Sequence, residues 1–124
     1  MHIILFDDET RFRLLPFTHT RPVADIRCGI FTMRERWEKL LNQQTSTLTD
    51  TYLQPVFPLH TGNDNLFINA SVFASESLIQ AINTLAEGEK LIQNELVIAA
   101  RFSNAEVHFH NINAQFQQLT AKPF

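Results

Sequence analysis

The stretch His2-Ile3-Ile4-Leu5-Phe6 constrains this chain most, because it is apolar without interruption, carries two β-branched isoleucines and is closed at once by Asp7-Asp8. A half-exposed strand would alternate polar and apolar residues, so an unbroken run of this length reads as a strand covered on both faces, as in the sheet of an α/β protein. The run is far too short for a membrane span or the apolar core of a signal peptide, and no targeting address is readable. At 124 residues the chain is expected to form a single domain, residues 1–124. The formal net charge of -3, with 10 Lys and Arg scattered against 13 Asp and Glu, argues against a nucleic-acid or membrane surface. The lone Cys28 excludes an internal disulfide and a cysteine-rich zinc site, which fits a soluble protein of the reducing cytoplasm. With only Gly29, Gly62 and Gly88, the chain has no glycine-rich loop to cradle phosphates.

From Glu9 to Gly29 no hydrophobic period holds: Arg11, Arg13, Arg21 and Arg27 interleave with Pro16, Pro22 and the Thr18-His19-Thr20 run, which predicts a loop long enough to carry function. Thr32 and Glu35 form a capping-box pattern ahead of a stripe of Met33, Trp37, Leu40 and Leu41, which predicts a helix over 33–42. Gln43 to Asp64 is polar, rich in threonine and broken by Pro55 and Pro58, so it reads as an irregular connection with at most a brief turn near Leu48 to Leu53. Leu66 to Ala70 is a second apolar strand. Ser75 is placed to cap a helix with Leu78, Ile79, Ile82 and Leu85 on its apolar face, and Gly88 to terminate it. Lys90–Gln93 and Leu96–Arg101 suggest a hairpin, while Phe102 to Phe124 mixes a β-like Val107–His110 with a glutamine-rich stretch. This order predicts a Rossmann-like α/β fold, a mostly parallel sheet with flanking helices. Ligands of such sheets sit outside the carboxyl ends of the strands, here Asp7-Asp8 and Asn69-Ala70-Ser71.

The long loop reads Leu14-Leu15-Pro16-Phe17-Thr18, then Thr20-Arg21-Pro22, then Ala24-Asp25-Ile26-Arg27-Cys28-Gly29-Ile30. This pattern resembles the sugar-phosphate nucleotidyltransferases, whose first strand leads into a loop of the form G-x-G-T-R…P-L-T…P-K-P. Arg11 matches the motif arginine, Pro16-Phe17-Thr18 the P-L-T element, and Arg21 stands about where the family has its lysine. The likeness is greatest to a glycine-poor bacterial branch grouped with the bifunctional N-acetylglucosamine-1-phosphate uridyltransferase and glucosamine-1-phosphate acetyltransferase. It covers about Met1 to Arg101, and 21–29 is its most specific part. The resemblance implies the N-terminal portion of a nucleotidyltransferase-like domain that joins UTP to N-acetylglucosamine-1-phosphate and releases pyrophosphate, with Mg2+ as the implied cofactor and a nucleoside triphosphate and a sugar phosphate as the partners. Arg11 and Arg21 take the catalytic phosphate contacts in this reading. Arg13, Asp7, Asp8, Asp25, Asn69 and Ser71 line the substrate site, and the metal ligand stays open among Asp7, Asp8 and Asp25. Ser71 stands where the family has a metal-binding aspartate, and serine is a poor magnesium ligand. The resemblance further implies a larger catalytic unit, of which this chain alone is inactive, and in many members a C-terminal hexapeptide-repeat domain; a homo-oligomer is a further expectation.

Other readings fit the same residues. The arginines can pair with Asp7, Asp8, Glu9 and Asp25 in a rigid loop, the two strand-end aspartates can be turn residues, and Asn69 can cap its own turn. His108 and His110 alternate like metal ligands, with no third ligand placed by the sequence. Cys28 reads as a small packed hydrophobe, and Trp37 and the eleven phenylalanines as core or interface. Two rival functions follow: a degenerate module that binds nucleotide or sugar without chemistry, and an oligomerisation domain.

Overall fold

Eight short strands and three helices are distributed over the residues that the computed structural model describes: 2–8, 12, 15, 20–28, 31–94, 96–103 and 107–124. Six strands form one sheet: β1 (His2–Phe6), β4 (Ser46–Leu48), β5 (Asn65–Asn69), β6 (Glu89–Gln93), β7 (Leu96–Phe102) and β8 (Thr120–Pro123). The order across it is β4-β1-β5-β7-β6-β8. β1 pairs parallel with both β4 and β5, β6 pairs parallel with β8, and β7 runs antiparallel to its two neighbours. The sheet is therefore mixed and mostly parallel, the α/β architecture anticipated from the apolar run at residues 2–6. β2 (Arg27–Cys28) and β3 (Phe31–Thr32) make a separate two-stranded ribbon beside it.

Both faces of the sheet are covered. On one, Ile3, Leu5, Leu66 and Ile68 pack with Val23 and Ala24 of a single 3-10 turn (Val23–Asp25), Trp37 of helix α1 (Met33–Leu41), Leu78 and Ile82 of helix α2 (Glu76–Asn83), and Leu85 just beyond it. On the other, Ile4, Phe6, Leu48, Phe67 and Phe102 pack with Val107, Ile112 and Phe116, the last two on α3 (Ile112–Gln117). Alternate residues of a strand face opposite ways, so β1 sends Ile3 and Leu5 to one core and Ile4 and Phe6 to the other. Phe6 and Phe116 meet edge to face at 5.0 Å, and Phe67 stacks on Phe102 at 4.7 Å, which places four of the phenylalanines in the interior.

The helix starts match the sequence. Thr32 Oγ1 accepts from Glu35 N at 3.1 Å while Glu35 Oε1 accepts from Thr32 N at 2.8 Å, completing the capping box. Ser75 Oγ accepts from Leu78 N at the start of α2. Helix α1 ends at Leu41, one residue short of the expected 33–42, because Asn42 turns left-handed at φ 54.

Three expectations are corrected. The connection 43–64 contains β4, which the sequence conceals because Ser46-Thr47-Leu48 has a single apolar residue; backbone pairing with β1 buries all three. Gly88 does not end α2, which stops at Asn83; it turns the chain into β6 at φ 86, a left-handed value that glycine adopts without strain, and donates its N–H to the Arg101 carbonyl at 2.7 Å. Val107–His110 is not a strand but the approach to α3: Val107 is buried, while His108 and His110 are exposed with ring centroids 6.4 Å apart. Among the described residues no group of three or more His, Cys, Asp or Glu side chains is placed to hold a metal ion, and no helix is long and apolar enough to cross a membrane.

Candidate functional site at the strand ends

Parallel pairing brings the carboxyl ends of β1, β4 and β5 to one edge of the sheet, and the ladders run on into the residues that follow. Asp7 N donates to Leu48 O at 2.9 Å, and Ala70 N donates to Phe6 O at 3.0 Å. Asp7, Asp8, Thr49, Asn69 and Ser71 are therefore neighbours although up to 64 positions separate them in the chain.

The two adjacent aspartates have different surroundings. Asp7 lies on the face of β1 that carries Ile3 and Leu5 and is 1% exposed. Its Oδ1 accepts from Val23 N at 3.0 Å and its Oδ2 from the Thr49 hydroxyl at 2.6 Å. This carboxylate fastens the 3-10 turn at Val23 and the end of β4 to β1. Asp8 is only partly buried, and its Oδ2 accepts from Asn69 Nδ2 at 2.8 Å. Asn69 also donates to Val97 O at 3.0 Å, and its Oδ1 accepts from the Ser71 backbone N–H at 3.0 Å and from the Ser71 hydroxyl at 2.7 Å. The structure thus unites Asp7, Asp8, Asn69 and Ser71 at one place.

Asp25 is committed to a fork-on-fork pair with Arg34 in which Nε and one terminal guanidinium nitrogen each sit 3.0 Å from a carboxylate oxygen. Arg34 further donates to the Thr45 hydroxyl at 2.9 Å and to the Thr47 hydroxyl, tying the 3-10 turn, α1 and β4 together. Arg21 is exposed and lies two residues before Val23, whose N–H is fixed on Asp7, so the chain itself holds Arg21 close to the strand ends. Arg11 and Arg13 lie outside the described residues. Behind the site, the buried Trp37 donates its indole N–H to Val72 O at 3.0 Å and anchors the segment that follows Ser71.

Thr49 and Arg34 are participants that sequence reasoning missed. Thr45, Thr47 and Thr49 recur at a strand's two-residue spacing within a polar segment, a signal that was available for Thr49. Arg34 reads as a solvated charge on the polar face of its helix, and only the fold brings Asp25 to it.

A family profile described as sugar nucleotidyl transferase matches residues 3–123, nearly the whole chain. This protein belongs to the sugar nucleotidyl transferase family. The match spans every strand of the main sheet together with the strand-end cluster, so it concerns the same residues as the geometry above. No curated protein and no solved structure matches the chain. For a family member, the donor set at the strand ends is compatible with magnesium of one kind: Mg2+ is usually held by one or two carboxylates plus substrate phosphates and water, not by a cage of protein ligands. Asp8, partly buried at the mouth of the cluster, fits that pattern better than Asp7, whose two oxygens are turned inward onto Val23 and Thr49.

Proposed function

We propose that this chain carries the nucleotide end of a sugar-1-phosphate nucleotidyltransferase site, with UTP and N-acetylglucosamine-1-phosphate as substrates. The observation that carries the reading is the union of Asp8, Asn69 and Ser71 at the carboxyl ends of parallel strands, beside a loop end pinned by Asp7, in a chain of this family. In the proposed reaction a phosphate oxygen of the sugar phosphate attacks the α-phosphorus of UTP. A new P–O bond forms as the bond from the α-phosphorus to the bridging oxygen breaks, and pyrophosphate leaves with that oxygen. Arg21, with Arg11 and Arg13 carried over from the resemblance, supplies cationic forks to the triphosphate in place of a glycine-rich loop. Asp8 would hold Mg2+, whose contribution when bound is positive charge on the phosphates. The reading includes a cytoplasmic setting and a larger catalytic unit, in many members with a hexapeptide-repeat domain, and assigns nucleotide binding without turnover to residues 1–124 alone.

One observation favours a second reading, a module that binds nucleotide and has lost transfer: Ser71, which the resemblance sets against the family's metal-binding aspartate, spends its hydroxyl proton on Asn69. Isothermal titration of UTP with MgCl2 into wild type and Arg21→Ala tests the nucleotide site. Binding by wild type, weakened at least about tenfold by loss of a charge-assisted phosphate contact, is expected; absence of heat with wild type rejects the site. Pyrophosphate release by the longest natural polypeptide containing this segment separates transfer from binding alone.

A further inference from the structure

We infer that Asn69 is a positioning residue: it sets the orientation of Asp8 and Ser71 together and does not itself contact the ligand. This inference rests on the nucleotide reading of the site. A side-chain amide has two N–H donors and one oxygen with two lone pairs, and at Asn69 all four are engaged. The donors go to Asp8 Oδ2 at 2.8 Å and Val97 O at 3.0 Å; the oxygen accepts from Ser71 N at 3.0 Å and Ser71 Oγ at 2.7 Å. The residue is 1% exposed, so a ligand reaching it would have to displace one of these bonds within a closed interior.

The Val97 contact ties this position to β7. Along β6 and β7 the register passes from Leu91 opposite Ala99 to Ile92 opposite Val97, so one residue of β6 advances against two of β7 and Ile98 is the extra residue of a bulge. The ladder between β5 and β7 ends with Ile68 opposite Ala99, one residue before Asn69. The Asn69 amide reaches the Val97 carbonyl where backbone pairing stops. It thereby connects the ends of β1 and β5 to the bulged β7, and the two residues it orients, Asp8 and Ser71, are those the proposed site would present to nucleotide and magnesium. Second-layer partners of this kind fix the geometry of the groups that do the binding.

The test is a double-mutant cycle on the Kd for UTP in the presence of MgCl2, measured on wild type, Asn69→Ala, Asp8→Ala and the double variant, with Asn69→Ser as a smaller perturbation and thermal melts on all five. If Asn69 acts through Asp8, Asn69→Ala weakens binding about 10–100-fold while its melt stays cooperative. The double variant then binds no more than about twofold weaker than Asp8→Ala, because the two residues act as one unit. Losses that add instead assign Asn69 an independent role and overturn the inference, as does failure of both Asn69→Ala and Asn69→Ser to fold, which would make the residue a requirement of the fold. Wild type that does not bind removes the nucleotide reading itself and this inference with it, a result distinct from binding with additive losses.

Discussion

Asp64 and Arg101 make a forked pair, with Nε to Oδ1 at 3.1 Å and one terminal nitrogen to Oδ2 at 3.0 Å, at the edge of the sheet where β5 begins and β7 ends. Hydrogen bonding from the Arg101 guanidinium holds the Asp64 carboxyl below the usual aspartate range, and its positive charge acts in the same direction. A carboxylate more acidic in the folded than in the unfolded chain contributes stability above its unfolded pKa, and that contribution disappears as pH falls through the folded value. Asp64→Asn is therefore expected to melt below wild type at neutral pH, with the gap closing as acid protonates Asp64 in the wild type. The pair is partly exposed, so the gap is small. Thermal melts from neutral to strongly acid solution check this, and a gap independent of pH would leave the pair no part in it. Residue identities at the candidate site were equally plain in the sequence, but their duties were not. Asp7 and Asp8 are consecutive, yet one shares the face of Ile3 and Leu5 and is sealed by Val23 and Thr49, while the other meets Asn69. Alternation along β1 indicates that they differ; which partners each meets depends on β4 and β5.

The elements with local signals were legible. Thr32 with Glu35 and Ser75 ahead of an apolar stripe mark helix starts because capping is settled within one turn of chain. Replacing Thr32 by Ala removes the acceptor of the Glu35 N–H and half of the reciprocal box, and is expected to cost about 1 kcal/mol, read as a lower urea midpoint with unchanged slope. An unchanged midpoint would mean that packing of Met33 and Trp37 holds the start of α1. The concealed element, β4, has no local signal of that kind. A three-residue strand of Ser, Thr and Leu exists because β1 offers it a parallel partner, and its polar side chains are satisfied by distant groups: the Ser46 hydroxyl contacts His60, and Arg34 reaches Thr47. Gly88 was misplaced for a related reason. Glycine after a helix usually caps it, but here α2 has already ended and the left-handed residue serves the entry to β6.

At the scale of the molecule, one sheet separates two cores, and the chain's lone Trp37 lies wholly in the first. If the sheet couples them, a lesion in the second core lowers the transition reported by the first. Phe116→Ala, which removes the ring that contacts Phe6, Phe67 and Phe102, is expected to cost about 3–5 kcal/mol and to shift urea melts followed by Trp37 fluorescence and by far-ultraviolet circular dichroism to the same lower midpoint. Separate midpoints would show that the faces unfold independently.

The sequence alone determined what neighbouring residues settle between themselves: the strand at residues 2–6, buried from Ile3 to Phe6, the helix starts at Thr32 and Ser75, the hairpin of β6 and β7, and the loop pattern that pointed to the family. Hydrophobic period and capping are short-range effects, so they can be read along a line of residues. Tertiary structure decided what depends on long-range partners: that Asp25 is bound to Arg34, that Asp7 is an internal clamp, and that Asn69 directs its two amide N–H bonds to Asp8 and to Val97, joining the ends of β1 and β5 to β7. A polar side chain displays the same groups whether it will hold a ligand or another residue, and which it meets is settled only when the strands around it are in place.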